Sequence, residues 1–179
     1  MLDGILNIPL LAFVTAAVAI DGKWRRIPNW LTLPVAGAAL VWHLADRGAP
    51  GLTFSLGGFS AGLALMLVPY LMGGLGGGDV KMLAAVGAVK GAWFVFTAFL
   101  CMGIAGGLMG LVYALCRGRL KQTLRNIKQI CVLLYYRTNP RTAADLNAGQ
   151  AGTFPYAGAI AVGVLAAYIL TPWIFGAAG

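Results

Sequence analysis

Five carboxylates make up the acidic complement of this 179-residue chain, and all are aspartates: Asp3, Asp21, Asp46, Asp79 and Asp145. With no glutamate present, each has to be accounted for singly. Asp79 stands out because GGLGGGDVKM, residues 73–82, delivers the backbone to it through five glycines in six residues. Asp21 stands out because it closes a long apolar run just before GKWRRIPNW. Each has a plain reading alone: Asp79 caps a helix behind a glycine turn, and Asp21 stops a span at headgroup level. Together they describe different chemistry, since a cap does not require five glycines ahead of it. Two carboxylates sharing a site resist double ionisation, so one keeps its proton. The ionised partner takes a proton from water, which attacks a carbonyl. The protonated partner polarises that carbonyl and then protonates the leaving amine. That is aspartyl proteolysis. Gly76, Gly77 and Gly78 would remove side-chain bulk beside Asp79, letting an extended substrate backbone approach.

Other chemistries have less support. Cys101, Cys116 and Cys131 are odd in number and form no CxxC pair, which argues against a zinc site or a disulfide framework. The single histidine, His43, falls at the expected outer end of a span and reads as an interfacial residue, not a ligand. Ser55 and Ser60 lack a histidine or lysine base nearby in sequence. A magnesium site on two aspartates would lack a phosphate-binding partner motif. No metal or cofactor is expected.

These acids need elements to hold them, and the composition says which. Hydrophobic residues make up 60% of the chain and charged residues 10%, against roughly 25% charged in soluble domains. Six apolar stretches, about 4–20, 29–45, 52–72, 79–90, 91–116 and 154–175, predict an all-α polytopic membrane protein forming one domain over 1–179. The fourth stretch is short. Either its turn falls elsewhere or, as we favour, the glycine segment enters the membrane and the helix begins below the surface. Ala17-Val18-Ala19 looks like a signal cleavage site, but no Lys or Arg precedes it, so 4–20 is read as a retained span.

Basic residues set the orientation. With the N-terminus outside, Lys23, Arg25, Arg26, Lys81, Arg117, Arg119, Lys121, Arg125, Lys128, Arg137 and Arg141 fall inside, and only Arg47 and Lys90 outside. The net charge of +8 then faces anionic lipid, and no nucleic-acid partner is implied. Trp24 and Trp30 at the inner side, Trp42, Trp93 and Trp173 at the outer, and Tyr70, Tyr113 and Tyr156 near inner ends fit two aromatic belts. Residues 117–150 form an inner loop, in which Leu120, Leu124, Ile127, Cys131 and Leu134 recur at helical spacing, predicting an interfacial amphipathic helix. Gly103, Gly106, Gly107 and Gly110 are expected to permit close helix packing. This topology puts Asp21 and Asp79 at one depth, on the cytoplasmic side.

Three ordered segments carry a resemblance. Gly76-Gly77-Gly78-Asp79 matches the GxGD signature of intramembrane aspartyl proteases. The string GGGDVKMLAAVGA, the segment DGKWRRIPNWLT from Asp21 to Thr32, and the closing FPYAGAIAVG together resemble bacterial type IV prepilin peptidases. The resemblance implies Asp21 and Asp79 as a catalytic dyad acting at the inner membrane. It implies prepilin or pseudopilin substrates, cut after a glycine at the cytoplasmic edge of their hydrophobic helix. Larger members carry a cysteine-bearing extension linked to N-methylation. That activity is not expected here, and the chain looks most like the compact peptidases of tight-adherence (Flp) pili.

Supporting roles are more open. Pro28 suits the first turn of the second helix. Asn29 either approaches Asp21 and the substrate or caps that helix, and Lys81 either snorkels to headgroups or tunes Asp79. Two other functions stay in view: a GxGD protease with a different single-span substrate, and a small transporter or assembly protein using the acids as a proton relay or as caps. No inverted repeat favours transport.

Overall fold

Long runs of Leu, Ala, Val and Phe become helices here, and a computed structural model describes residues 6–24, 27–71, 75–116 and 156–175. Among these, every regular element is helical: α1 (Asn7–Trp24), α2 (Asn29–Arg47), α3 (Ala49–Leu71), α4 (Gly77–Lys90), α5 (Ala92–Cys116) and α6 (Tyr156–Phe175). The amphipathic stretch of 117–136, together with Asp3, Asp145 and Cys131, lies outside the described residues. Two breaks rest on glycines with positive φ. Gly48 (φ 63°) closes α2, its N–H donating to Leu44 O at 2.9 Å. Gly91 (φ 83°) closes α4, donating to Gly87 O at 2.7 Å. A side chain at either position would be strained.

Contacts between remote residues fix the topology. Asn29 of α2 meets Lys81 near the start of α4, and His43 meets Val89 near its end, so α2 and α4 run parallel. Ser55, Gly58 and Gly62 meet Ala88, Gly87 and Leu83 in turn, so α3 runs antiparallel to α4. Asn7 at the start of α1 reaches Lys90, and Phe94 packs edge-on against Tyr168 while Gly163 faces Ala98. The Tyr168 hydroxyl, late in α6, also reaches Asn7, so helices α1, α3 and α5 point one way, and α2, α4 and α6 the other.

At the centre lies α4. Every residue from Met82 to Val89 is buried, which is why the helix carries no polar stripe. Its 14 residues span about 21 Å. The tightest packing is glycine against glycine. A Cβ on Gly58 would stand 1.9 Å from Gly87 O, and one on Gly87 would stand 2.1 Å from Gly58 O. Gly62 against Leu83 and Ala84, and Gly163 against Ala98 and Met102, repeat the theme. The glycines expected to do this do not. Cβ atoms on Gly103, Gly107 and Gly110 would meet nothing within 4 Å, and one on Gly106 only Ala159 at 3.7 Å. Glycine content marked α5 as a packing helix, but which glycines face a neighbour depends on rotation about the helix axis.

The outer surface is apolar. Two helices, α3 over Ala49–Leu71 and α5 over Ala92–Val112, are long and apolar enough to cross a membrane. Ile104 is 73% exposed and Leu108 62%, so these helices show water-averse faces outward instead of burying them. Trp24, Trp30, Trp42, Trp93 and Tyr70 are all exposed. The side chains of Tyr113, Tyr156 and Trp173 lie outside the described residues.

Candidate active site

Asp21 lies within the last turn of α1, not at its end, because the helix continues through Gly22 and Lys23 to Trp24. Asp79 sits in the first turn of α4. Both are buried, 9% and 8% exposed. The helices run in opposite directions, so the end of one and the start of the other share one end of the bundle. There the two carboxyls are near enough for the charge of Asp21 to act on Asp79. Asp46 stands apart, bonded to Arg47. Among the described residues neither Asp21 nor Asp79 has a cationic partner. No group of three or more His, Cys, Asp or Glu able to hold a metal occurs among them.

Asp79 does act as a cap. Its Oδ2 accepts the Gly76 N–H at 3.2 Å, and its own N–H donates to Gly76 O at 3.1 Å. This is the reciprocal closure of a first helical turn, with the carboxylate reaching back to an N–H that the helix leaves orphaned. The negative charge also faces the positive end of the helix dipole. One oxygen of the Asp79 carboxylate is therefore committed to the turn.

The glycines before Asp79 divide their work. Gly76 and Gly77 are exposed. A Cβ on Gly76 would meet only Asp79 Oδ2, at 3.4 Å, and one on Gly77 only the Tyr70 ring, at 3.7 Å. Gly78 is different. A Cβ there would stand 3.0 Å from Ile27 Cβ and 3.1 Å from Ile27 N, so the backbone that approaches Gly78 is the chain's own. Ile27 is 7% exposed and belongs to the short connection that follows Asp21.

Asn29 and Lys81 find each other. Lys81 Nζ donates to Asn29 Oδ1 at 2.8 Å across 52 residues of sequence. The cap position of α2 is taken by Pro28, in extended conformation, with no side-chain capping bond. Pro28 thus precedes the first turn instead of standing in it, and its carbonyl accepts the Leu31 N–H at 3.1 Å. In sequence Asn29 and Lys81 carry no sign of each other. Nothing in local periodicity reports a register between two helices.

The other end of α4 corrects further expectations. His43 is not interfacial: it is 2% exposed, its Nε2–H donates to Val89 O at 3.1 Å, and its ring packs edge-on against Phe54. Ser55 is fully buried and donates to Ala88 O at 2.7 Å. Ser60 bonds within its own helix to Leu56 O. Lys90, read as an outer-surface charge, is partly buried. It bonds Asn7 Oδ1 and lies over the Phe94 and Tyr168 rings, while the Tyr168 hydroxyl reaches the same Asn7 oxygen at 3.1 Å.

Comparisons with known proteins point to one family. The type IV leader peptidase family model matches residues 8–111, a stretch that contains both Asp21 and Asp79. A protein of Xanthomonas campestris pv. campestris, "Prepilin leader peptidase/N-methyltransferase", is 30% identical over 127 residues, covering 68% of this chain and 44% of its own. Proteins of the same name from Dickeya chrysanthemi and Bacillus subtilis are 33% and 30% identical over 106 and 118 residues. Those matches cover 56% and 63% of this chain, and 36% and 46% of theirs. The chain thus spans less than half the length of these relatives. No solved structure matches it. With the family model covering more than half of its residues, the chain belongs to the type IV leader peptidase family.

Proposed function

We propose that this protein is a prepilin leader peptidase: a membrane aspartic endopeptidase that removes the leader of prepilins or pseudopilins through Asp21 and Asp79. The observation that carries this reading is the pair of buried carboxylates, on antiparallel helices, at one end of the bundle. Exposed Gly76 and Gly77 border that pair. In the reaction, water loses a proton to the ionised carboxylate as its oxygen bonds the scissile carbonyl carbon. The protonated carboxyl hydrogen-bonds the developing oxyanion. The tetrahedral intermediate then collapses, the C–N bond breaks and the leaving nitrogen takes a proton from the dyad. Substrate backbone passes beside Gly76 and Gly77, where no side chain obstructs it.

The same reading places the protein across the bacterial inner membrane in six spans, with the acids at the cytoplasmic face. The exposed apolar faces of α3 and α5 support insertion. The distribution of basic residues supports the orientation: Lys23 and Lys81 lie at the end that holds the acids, while Arg47 and Lys90 lie at the opposite end. At about 21 Å, α4 is shorter than a hydrocarbon core of about 30 Å, which supports a glycine segment that dips into the membrane.

The test is processing of a candidate prepilin by the purified protein. Wild type shortens the substrate by its leader, and neither Asp21→Asn nor Asp79→Asn does. Cleavage by either variant at the wild-type rate would remove that residue from the dyad. Cleavage of non-pilin single-span precursors with equal efficiency would redirect the substrate class.

A further inference from the structure

The short segment after Asp21 touches the beginning of α4 at two points. Ile27 lies against Gly78, so closely that a methyl group there would force a shift. Two residues later, Asn29 Oδ1 takes a hydrogen bond from Lys81. Between them Pro28 holds its backbone at φ −75° and ψ 148°, which fixes how the Ile27 contact and the Asn29 contact are spaced. On α4 the two partners bracket Asp79, one residue before it and two after. Both contacts are made by residues that follow Asp21 closely in sequence.

The Lys81 side chain is free to do this because of helical geometry. Two residues along a helix turn the side chain by roughly 200°, so Lys81 leaves α4 on another side from Asp79. Its ammonium neither pairs with the acid nor stands free in solvent. Both Lys81 and Asn29 are exposed, and an exposed polar pair contributes little to global stability. The first turn of α4 does not need it either, since Asp79 and Gly76 already close that turn. What the bond does constrain is register: how the start of α2, and with it the end of α1, sits against the start of α4.

Resting on the dyad reading above, we infer that Lys81 and Asn29 are positioning residues whose mutual hydrogen bond, with the Ile27–Gly78 contact, sets the spacing of Asp21 and Asp79. Neither touches the reacting atoms. Misplacing a reacting group by an ångström lowers rates by as much as about a hundredfold, so a bond of small energetic worth has a large kinetic lever.

A kinetic double-mutant cycle on the full-length protein, reconstituted in liposomes with a prepilin substrate, tests this. Lys81→Met and Asn29→Leu each lower kcat about tenfold with KM within about twofold, and the double variant is no slower than the slower single one. Lys81→Arg and Asn29→Asp, which keep a donor and an acceptor in place, restore most of kcat. Additive losses, a rise in KM that accounts for the loss, or unchanged kcat in both single variants would overturn the proposal. Should the apolar variants fail to accumulate, Lys81→Asn, Asn29→Lys and the swapped pair decide it: the swap recovers kcat if the two side chains act through each other, and its failure to recover would overturn the claim. Asp21→Asn and Asp79→Asn run beside them. Cleavage by those variants refutes the dyad, whereas their inactivity with an additive cycle refutes only the positioning role.

Discussion

At its carboxyl end α4 gives the Ala88 carbonyl to Ser55 and the Val89 carbonyl to His43, while Gly87 meets Gly58 backbone to backbone. At its amino end the same helix shows exposed Gly76 and Gly77 and holds a carboxylate within charge range of a second one. The contrast is between orphan groups that are answered by neighbours and one that is answered by Asp79, the side chain proposed for catalysis. A helix end normally leaves its last carbonyls unpaired. Here buried side chains from α2 and α3 pair two of them, which anchors α4 from behind.

Variants that act on one end only should separate these roles. The largest effect is expected from Asp21→Asn or Asp79→Asn: cleavage falls at least about a thousandfold, equivalent to about 4 kcal/mol in the barrier, with membrane protein level unchanged on an immunoblot. Next, Gly87→Leu, which forces side-chain atoms into the Gly58 backbone, destabilises the bundle by about 3 kcal/mol. Its folded yield in detergent drops, while Gly107→Leu, placed where nothing lies within 4 Å, leaves yield unchanged. If both behave alike, the sealed end is not where stability resides. Gly78→Val should lift α4 off Ile27 and slow cleavage about tenfold, with a smaller change in thermal midpoint than Gly87→Leu. The smallest effect belongs to Ser55→Ala. Leaving the Ala88 carbonyl unanswered costs about 1 kcal/mol of stability, readable as a lower thermal midpoint, with the rate of the remaining folded enzyme intact.

The helices and the two conspicuous acids are legible in the sequence. A chain with five acids and no glutamate makes each acid conspicuous, and helices emerge from apolar runs whatever surrounds them. Boundaries moved by a few residues, enough to put Asp21 inside α1 instead of at its stop. What the chain did not disclose was which way each helix is rotated. Gly58 and Gly87 look no different in sequence from Gly103 and Gly107, yet the first pair meets backbone and the second open space. His43 read as interfacial for the same reason: a lone histidine near a span end carries no mark of the carbonyl it will find across 46 residues. The Lys81–Asn29 bond is likewise a fact of register between helices, invisible to any window along one of them.

That Asp79 accepts the Gly76 N–H has a practical implication for anyone probing this protein. Truncating it to alanine would erase a charge and fray a helix start in one stroke, so lost turnover would carry two explanations. Asparagine keeps an amide oxygen for the same donor and removes only the ionisable function, which makes it the cleaner instrument for asking what the acid itself does.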